Sequence, residues 1–377
     1  MKLFKILFTI TFILLIFSCK KNKKETKHDT TLNINELNTY FTKAMPTNEP
    51  GGSILIMKGD SIIFSKGYGL ADLELKTKID KNTLFNIGSI SKTFVSNAIL
   101  ILQEEGKLSI EDNMAKYFPD FKNKAIAEKV KIKHLLTHTS GLKDNRQTKK
   151  DSIFYLSAKD AENWYPTTQA QNLNFEPGTR YEYSNPAYNA LALIIEQVAG
   201  IKWQKYIEDK IFKPSGMKNS TITDGPHPET GVSHGYIKSN GHWIEKDYGE
   251  EPTFAASGNG GVWSSVNELA NYELALQQHK FISDSTFKDS RTIKSWPNWK
   301  DSTPPFIGWS WFIRKTTEGL KTVGHEGSQG GFLCNYVTIP DKKITFIILC
   351  NTRRDVDGFT EFITKWLTKN HWLKELE

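Results

Sequence analysis

The chain predicts a mixed α/β (α+β) fold, with one antiparallel sheet built by both chain ends and a helical lobe built by the middle. Three observations carry this. Strand-like apolar runs lie near the ends: residues 53–58 and 62–68 flank the turn pair Gly59-Asp60, and residues 308–315, 320–324, 332–339 and 344–350 come late in the chain. Between residues 106 and 305 helical periods and loops dominate, as in residues 187–199, opened by Pro186 and stopped by Gly200. Residues 361–372 then close the chain as a helix with its aromatics on one side. Strands at both ends around a helical centre put residues 34–105 and 306–377 in a sheet lobe and residues 106–305 in a helical lobe. A cleft between two such lobes is where a ligand site is expected.

The first residues are a separate matter. Lys2 and Lys5 precede an apolar run, residues 6–17, that is shorter than the roughly 20 residues of a membrane-spanning helix, so residues 1–18 read as an export signal. Ile16-Phe17-Ser18-Cys19 resembles the bacterial lipobox, with Phe17 bulkier than that motif's usual occupant. The match implies a lipid on Cys19 and a protein tethered to a membrane outside the cytoplasm, in the periplasm or at the cell surface. Ordinary secretory cleavage is the competing reading. Residues 19–33 read as a lysine-rich polar tether. They also explain the basic charge: residues 1–28 hold seven lysines and one glutamate, which accounts for +6 of the formal +7. The remainder is close to neutral, so no nucleic-acid surface is expected and the lysines are placed to meet lipid headgroups. Cys334 and Cys350 are the other cysteines, on two apolar runs joined by Pro340-Asp341-Lys342-Lys343. A hairpin there could oppose them in a disulfide, or leave two buried thiols.

The chemistry centres on residues 84–95, an apolar run that breaks at Gly88 and restarts with helical period. Phe94, Val95, Ala98, Ile101 and Leu102 follow an i, i+1, i+4, i+7, i+8 pattern, which on a helix makes one buried face. Ser89 then sits near a helix N-terminus, where unpaired N–H groups and the macrodipole favour negative charge. Lys92 shares its face, close enough for an amine to take the hydroxyl proton. Ser-x-x-Lys also occurs at Ser18, Ser140, Ser215 and Ser285, but none of these heads an amphipathic helix. A serine at a helix start is also commonly an N-cap.

Two further stretches matter. Residues 175–186 contain Tyr183-Ser184-Asn185, where Asn185 could equally cap the helix that Pro186 begins. Residues 323–328 contain His325-Glu326-Gly327-Ser328, where strand alternation sends His325 and Gly327 to one face and Glu326 to the other. Together, and in this order, the three stretches resemble the penicillin-recognising serine hydrolases: serine β-lactamases, D,D-peptidases and related esterases, with the order and spacing of the class C β-lactamase branch. Residues 106–109, 134–142 and 256–261 extend the likeness, which runs from Gly51 to about Thr360.

The resemblance implies a β-lactamase/transpeptidase-like fold and roles for named residues. Ser89 is then the nucleophile, Lys92 the amine that helps deprotonate it, Tyr183 the relay of the proton to the leaving group, and Asn185 a substrate amide contact. Backbone N–H groups of Ser89 and Ser328 would form the oxyanion hole, with His325, Gly327 and Asn351 on the substrate side. His325 departs from the Lys-Thr-Gly of this branch, which puts efficient β-lactam hydrolysis in doubt. With an ordinary pKa near ~6.5 it would be mostly neutral at pH 7 and able only to donate a hydrogen bond. The expected activity is cleavage of amide or ester bonds, as a D,D-peptidase or an esterase, on a small molecule or a peptidoglycan-type peptide. A β-lactamase proper, or a slow penicillin-binding sensor, are the alternatives. No cofactor and no metal is implied. His134 and His138 are spaced i, i+4, but Leu135 stands where the zinc hydrolase motif has glutamate, so the pair reads as structural, at a helix end. The glycines of residues 258–261 read as a tight turn before a helix at residues 266–277.

Overall fold

The computed structural model describes residues 33–144, 159–223, 228, 230–246, 257–316 and 319–373. Residues 1–32, with the expected export signal, Cys19 and nearly all of the expected tether, lie outside the described residues. The sequence order begins with helix α1 (Ile34–Ala44), the hairpin β1 (Gly52–Lys58) and β2 (Ser61–Tyr68), then β3 (Phe85–Asn86) and helix α2 (Ser91–Glu104). Helices α3 (Asp160–Thr168) and α4 (Asn185–Ala199) follow, then the short strands β4 (Thr221–Ile222), β5 (Tyr236–Ser239), β6 (His242–Glu245) and β7 (Val262–Ser264). Helix α5 (Val266–Gln277) leads to β8 (Phe312–Lys315), β9 (Lys321–Gln329), β10 (Phe332–Ile339), β11 (Ile344–Cys350) and helix α6 (Val356–Lys369).

One antiparallel sheet of six strands, in the order β2-β1-β11-β10-β9-β8, joins the two ends of the chain. Its central strands are buried on both faces, which is why residues 54–57 and, Thr345 apart, residues 344–350 are apolar without alternation. Ile54 and Ile56 face a core shared with Phe41 of α1 and Phe359, Ile363 and Trp366 of α6. Leu55 and Met57 face the larger core, with α2, α4 and α5. Helix α5 falls within the middle of the chain yet packs on β1 and β11.

The sequence expectation for strands differs from the structure chiefly at three places. The run 308–315 becomes a strand only from Phe312, because Gly308 N–H donates to the Trp311 carbonyl (2.8 Å) and Ser310 takes a left-handed backbone (φ 72°), closing a turn. Strand β9 runs on to Gln329, past the expected end at residue 324. The middle of the chain also carries strands: β3, β7 and β4 form a small sheet, with Phe85 opposite Ser264 and Asn86 opposite Trp263. That sheet fixes residues 257–264 beside the start of α2.

Helix α2 was expected to bury one face; it buries them all, from Ser91 to Leu102. Its polar residues make this tolerable because each finds a partner: Ser91 Oγ accepts from Val262 N–H (3.0 Å), Thr93 Oγ donates to the Ile90 carbonyl (2.9 Å), and Asn97 Nδ2 donates to Tyr272 Oη (2.6 Å). The cysteine question is settled by register. Leu333 pairs with Cys350 and Cys334 with Leu349, so the two thiols are one residue out of step and enter opposite cores. Both are free and buried. Among the described residues no helix is long and apolar enough to cross a membrane.

Candidate active site

Ser89 is the middle residue of a single 3-10 turn, Gly88–Ile90, that runs directly into α2. Two glycines let strand β9 come against that turn. Gly88 has φ 52°, and a Cβ there would sit 2.7 Å from Ser328 N; a Cβ on Gly327 would lie 2.0 Å from the Ile87 carbonyl oxygen. The backbones of Ser89 and Ser328 are brought together by this contact, and no side chain larger than hydrogen fits at either glycine.

Lys92 lies one turn along α2 and is 0% exposed. Its Nζ donates to Ser89 Oγ at 3.0 Å, to Asn185 Oδ1 at 2.8 Å and to the Asn259 carbonyl at 2.6 Å. All three acceptors are uncharged. The nitrogen also stands 5.0 Å from the ring centre of Tyr183 and 5.6 Å from that of Tyr188. Asn185 is not the cap of α4. Ser184 is the cap, its Oγ accepting from Ala187 N–H at 3.3 Å, and Asn185 is the first helical residue, just ahead of Pro186. Tyr183, three residues before Pro186, is 37% exposed.

His325 and Gly327 share the inner face of β9 and Glu326 points outward, as alternation requires. His325 is 2% exposed. Its Nδ1 lies 2.6 Å from the Glu326 carbonyl oxygen, which can only accept, so Nδ1 carries the proton and the neutral ring presents a bare lone pair at Nε2. Burial, and then the charge of Lys92, push its pKa down to about 3, against the hydrogen bond to Glu326. The ordinary value near 6.5 expected from sequence does not hold, and where a donor was expected Nε2 carries a lone pair, buried without a hydrogen-bond partner.

Asn351 also departs from its expected place on the substrate side. It is wholly buried, accepting from Gly51 N–H (2.7 Å) and donating to the carbonyls of Leu70 and His234 (both 3.0 Å). With its amide spent on three backbone groups it ties loops together at the end of β11. Arg354 is likewise held, donating to the Pro50 carbonyl (2.6 Å). His134 and His138 each give Nδ1 to a backbone N–H, of Lys131 (3.1 Å) and of Ser184 (3.0 Å).

What sequence reading missed is a backbone atom. The Asn259 carbonyl on Lys92 comes from the glycine-bearing turn of residues 258–261, and a carbonyl leaves no mark in residue identity. That turn is itself pinned from below. Buried Asp160 accepts from Gly258 N–H (2.9 Å), Asn189 Nδ2 (2.7 Å) and Trp203 Nε1 (2.9 Å).

A family model described as Beta-lactamase matches residues 37–367. The chain belongs to the β-lactamase family. Penicillin-binding protein 4* of Bacillus subtilis is 27% identical over 338 residues, which are 85% of this chain and 72% of that protein. Among solved structures, the octameric penicillin-binding protein homologue of Pyrococcus abyssi is 28% identical, with a TM-score of 0.74 over 85% of this chain and 74% of that one. The D-amino acid amidase of Ochrobactrum anthropi shares the fold, with a TM-score of 0.74 at 20% identity over 89% of this chain and 99% of that one. This member of the β-lactamase family is a serine hydrolase, built on the sheet-and-helix architecture of its penicillin-binding relatives.

Proposed function

We propose that the protein is an exported hydrolase that cleaves amide or ester bonds through an acyl-enzyme on Ser89. The observation that carries this is the placement of Lys92. Asn185 Oδ1 and the Asn259 carbonyl hold Nζ within 3.0 Å of Ser89 Oγ, so that the amine, once it has given up a proton, is in reach of the hydroxyl. Lys92 takes the hydroxyl proton as Oγ attacks the substrate carbonyl carbon. The negative oxygen that forms is stabilised by the N–H groups of Ser89 and Ser328. The C–N or C–O bond then breaks, and the leaving group receives a proton through Tyr183. Water repeats the sequence to free Ser89.

His325 favours uncharged substrates over β-lactams within this reading. A carboxylate needs a donor, and a neutral ring that has spent its one proton on Glu326 offers none. The names of the relatives speak of penicillin binding and of D-amino acid amides. The amide side of that range and simple esters have in common that they bring no carboxylate for position 325 to hold. The decisive test is Ser89→Ala. Turnover of p-nitrophenyl butyrate and labelling by a fluorophosphonate should both vanish while the circular dichroism spectrum stays unchanged, and labelling that persists in this variant would move the nucleophile elsewhere.

Export and anchoring rest on residues 1–31 alone. The mature chain should start at Cys19, carry lipid and partition with membranes. Intact mass measurement decides, since an unmodified chain beginning beyond Cys19 would remove the anchor.

A further inference from the structure

His138 belongs to the pair of histidines that sequence reading set aside as structural, yet its contacts converge on one residue. Its main-chain carbonyl accepts from Glu182 N–H at 2.9 Å, and its Nδ1 accepts from Ser184 N–H at 3.0 Å. Its ring stacks on the ring of Tyr183, with centroids 4.4 Å apart and planes 29° apart. The residues on both sides of Tyr183 are therefore hydrogen-bonded to His138, and Tyr183 itself lies against its face. To do this His138 adopts a left-handed backbone (φ 55°), a conformation that costs a non-glycine residue free energy and persists only where surrounding contacts hold it.

The chemistry of the ring agrees with a fixed orientation. Because a backbone N–H can only donate, Nδ1 is bare and the single ring proton is on Nε2, which is buried without a hydrogen-bond partner. Burial, and then the charge of Lys92, hold the ring well below the ordinary range for protonation, against the single bond from Ser184. Protonation would set an N–H against the Ser184 N–H and a second charge beside Lys92. Tyr181 and Tyr188 close the other sides, with ring centroids 5.8 and 5.1 Å away.

We infer that His138 is a positioning residue for Tyr183, clamping the segment 182–184 so that the tyrosine hydroxyl is held where a leaving group must be protonated. The inference rests on the reading of Tyr183 as the proton relay, and it makes a claim that reading does not: His138 should act on substrates in proportion to how badly their leaving group needs a proton. A p-nitrophenolate leaves unaided near neutral pH, whereas an amine or an alkoxide does not.

His138→Asn is the informative variant, since asparagine tolerates the left-handed backbone and offers Oδ1 to Ser184 N–H but has no ring to lay against Tyr183. Proton delivery by a placed group contributes about 10²–10⁴-fold, so turnover of an amino acid amide or alkyl ester should drop at least about tenfold. Hydrolysis of p-nitrophenyl butyrate should change less than about threefold, within the scatter of indirect effects. The loss should lie in kcat, and adding Tyr183→Phe should cost nothing more. Equal loss on both substrate types, or full additivity with Tyr183→Phe, would reduce His138 to a packing role. If the variant does not fold, nitrogen-15 spectra of the wild-type protein still decide. A neutral Nε2–H tautomer that does not titrate between about pH 5 and 8 is expected, and an Nδ1–H tautomer overturns the clamp. Should Ser89→Ala retain full esterase activity, the failure lies with the proposed nucleophile and not with His138.

Discussion

At His325 one hydrogen bond changes what a side chain can do. With Nδ1 committed to the Glu326 carbonyl and the ring pushed down to about 3, the residue stays neutral through the physiological range. Activity should show no limb near pH 6.5 that His325→Gln removes, and kcat/KM should favour p-nitrophenyl butyrate over nitrocefin. A donor restored by His325→Lys should shift that ratio toward nitrocefin by several-fold, the worth of about 1 kcal/mol between a charged and a neutral hydrogen bond. An unchanged ratio would take His325 out of the specificity argument. Stability follows the same shift with a definite sign. Below pH 6.5 the unfolded chain binds a proton there and the folded one does not, so the residue withdraws stability as pH falls toward about 3.

Asp160, the first residue of α3, works at the scale of elements, because its carboxyl joins α3 to Asn189 of α4, to Trp203 and to the turn that holds Lys92. Burial raises it to about 7, prevailing over the donors that favour the anion. The sign here is opposite to that of His325. Between about pH 4 and 7 the folded chain holds a proton the unfolded one has lost, so stability declines as pH rises through that window and levels off above it. Asp160→Asn should flatten this dependence in urea titrations at pH 4.5 and 7.5 while lowering stability at the acid end, where asparagine presents an N–H to a site of donors. A wild-type and variant difference that is the same at both pH values would mean that the carboxyl does not titrate on unfolding.

Across the whole molecule, the sheet was legible where apolar runs are dense, as at residues 332–339 and 344–350, which match β10 and β11 to the residue. It was illegible at residues 308–311, where a turn turns on the backbone of Ser310 and not on composition. Ser89, Lys92, Tyr183 and Asn185 converge because three distant stretches each carried a side chain with recognisable spacing. Asn351 misled because an asparagine after a strand looks the same whether its amide meets a substrate or three buried backbone groups. The Asn259 carbonyl and the clamp of His138 were out of reach for a simpler reason, since main-chain atoms and ring stacking have no signature in residue order.

The pairing of β1 with β11 sets Gly52 opposite Cys350, and Gly51 N–H donates to Asn351 Oδ1 at a separation of 300 residues. A chain emerging from its N-terminus can close the β1–β2 hairpin at once, but the inner edge of that hairpin stays open until β11 has been made. The surroundings of Ser89 depend on the same late strands, through β9 against Gly88. Assembly must therefore await a closure of very long range, which is slow and leaves an apolar strand edge exposed in the meantime. The interval between synthesis and the final pairing is the period in which this protein has most need of something to keep it from its neighbours.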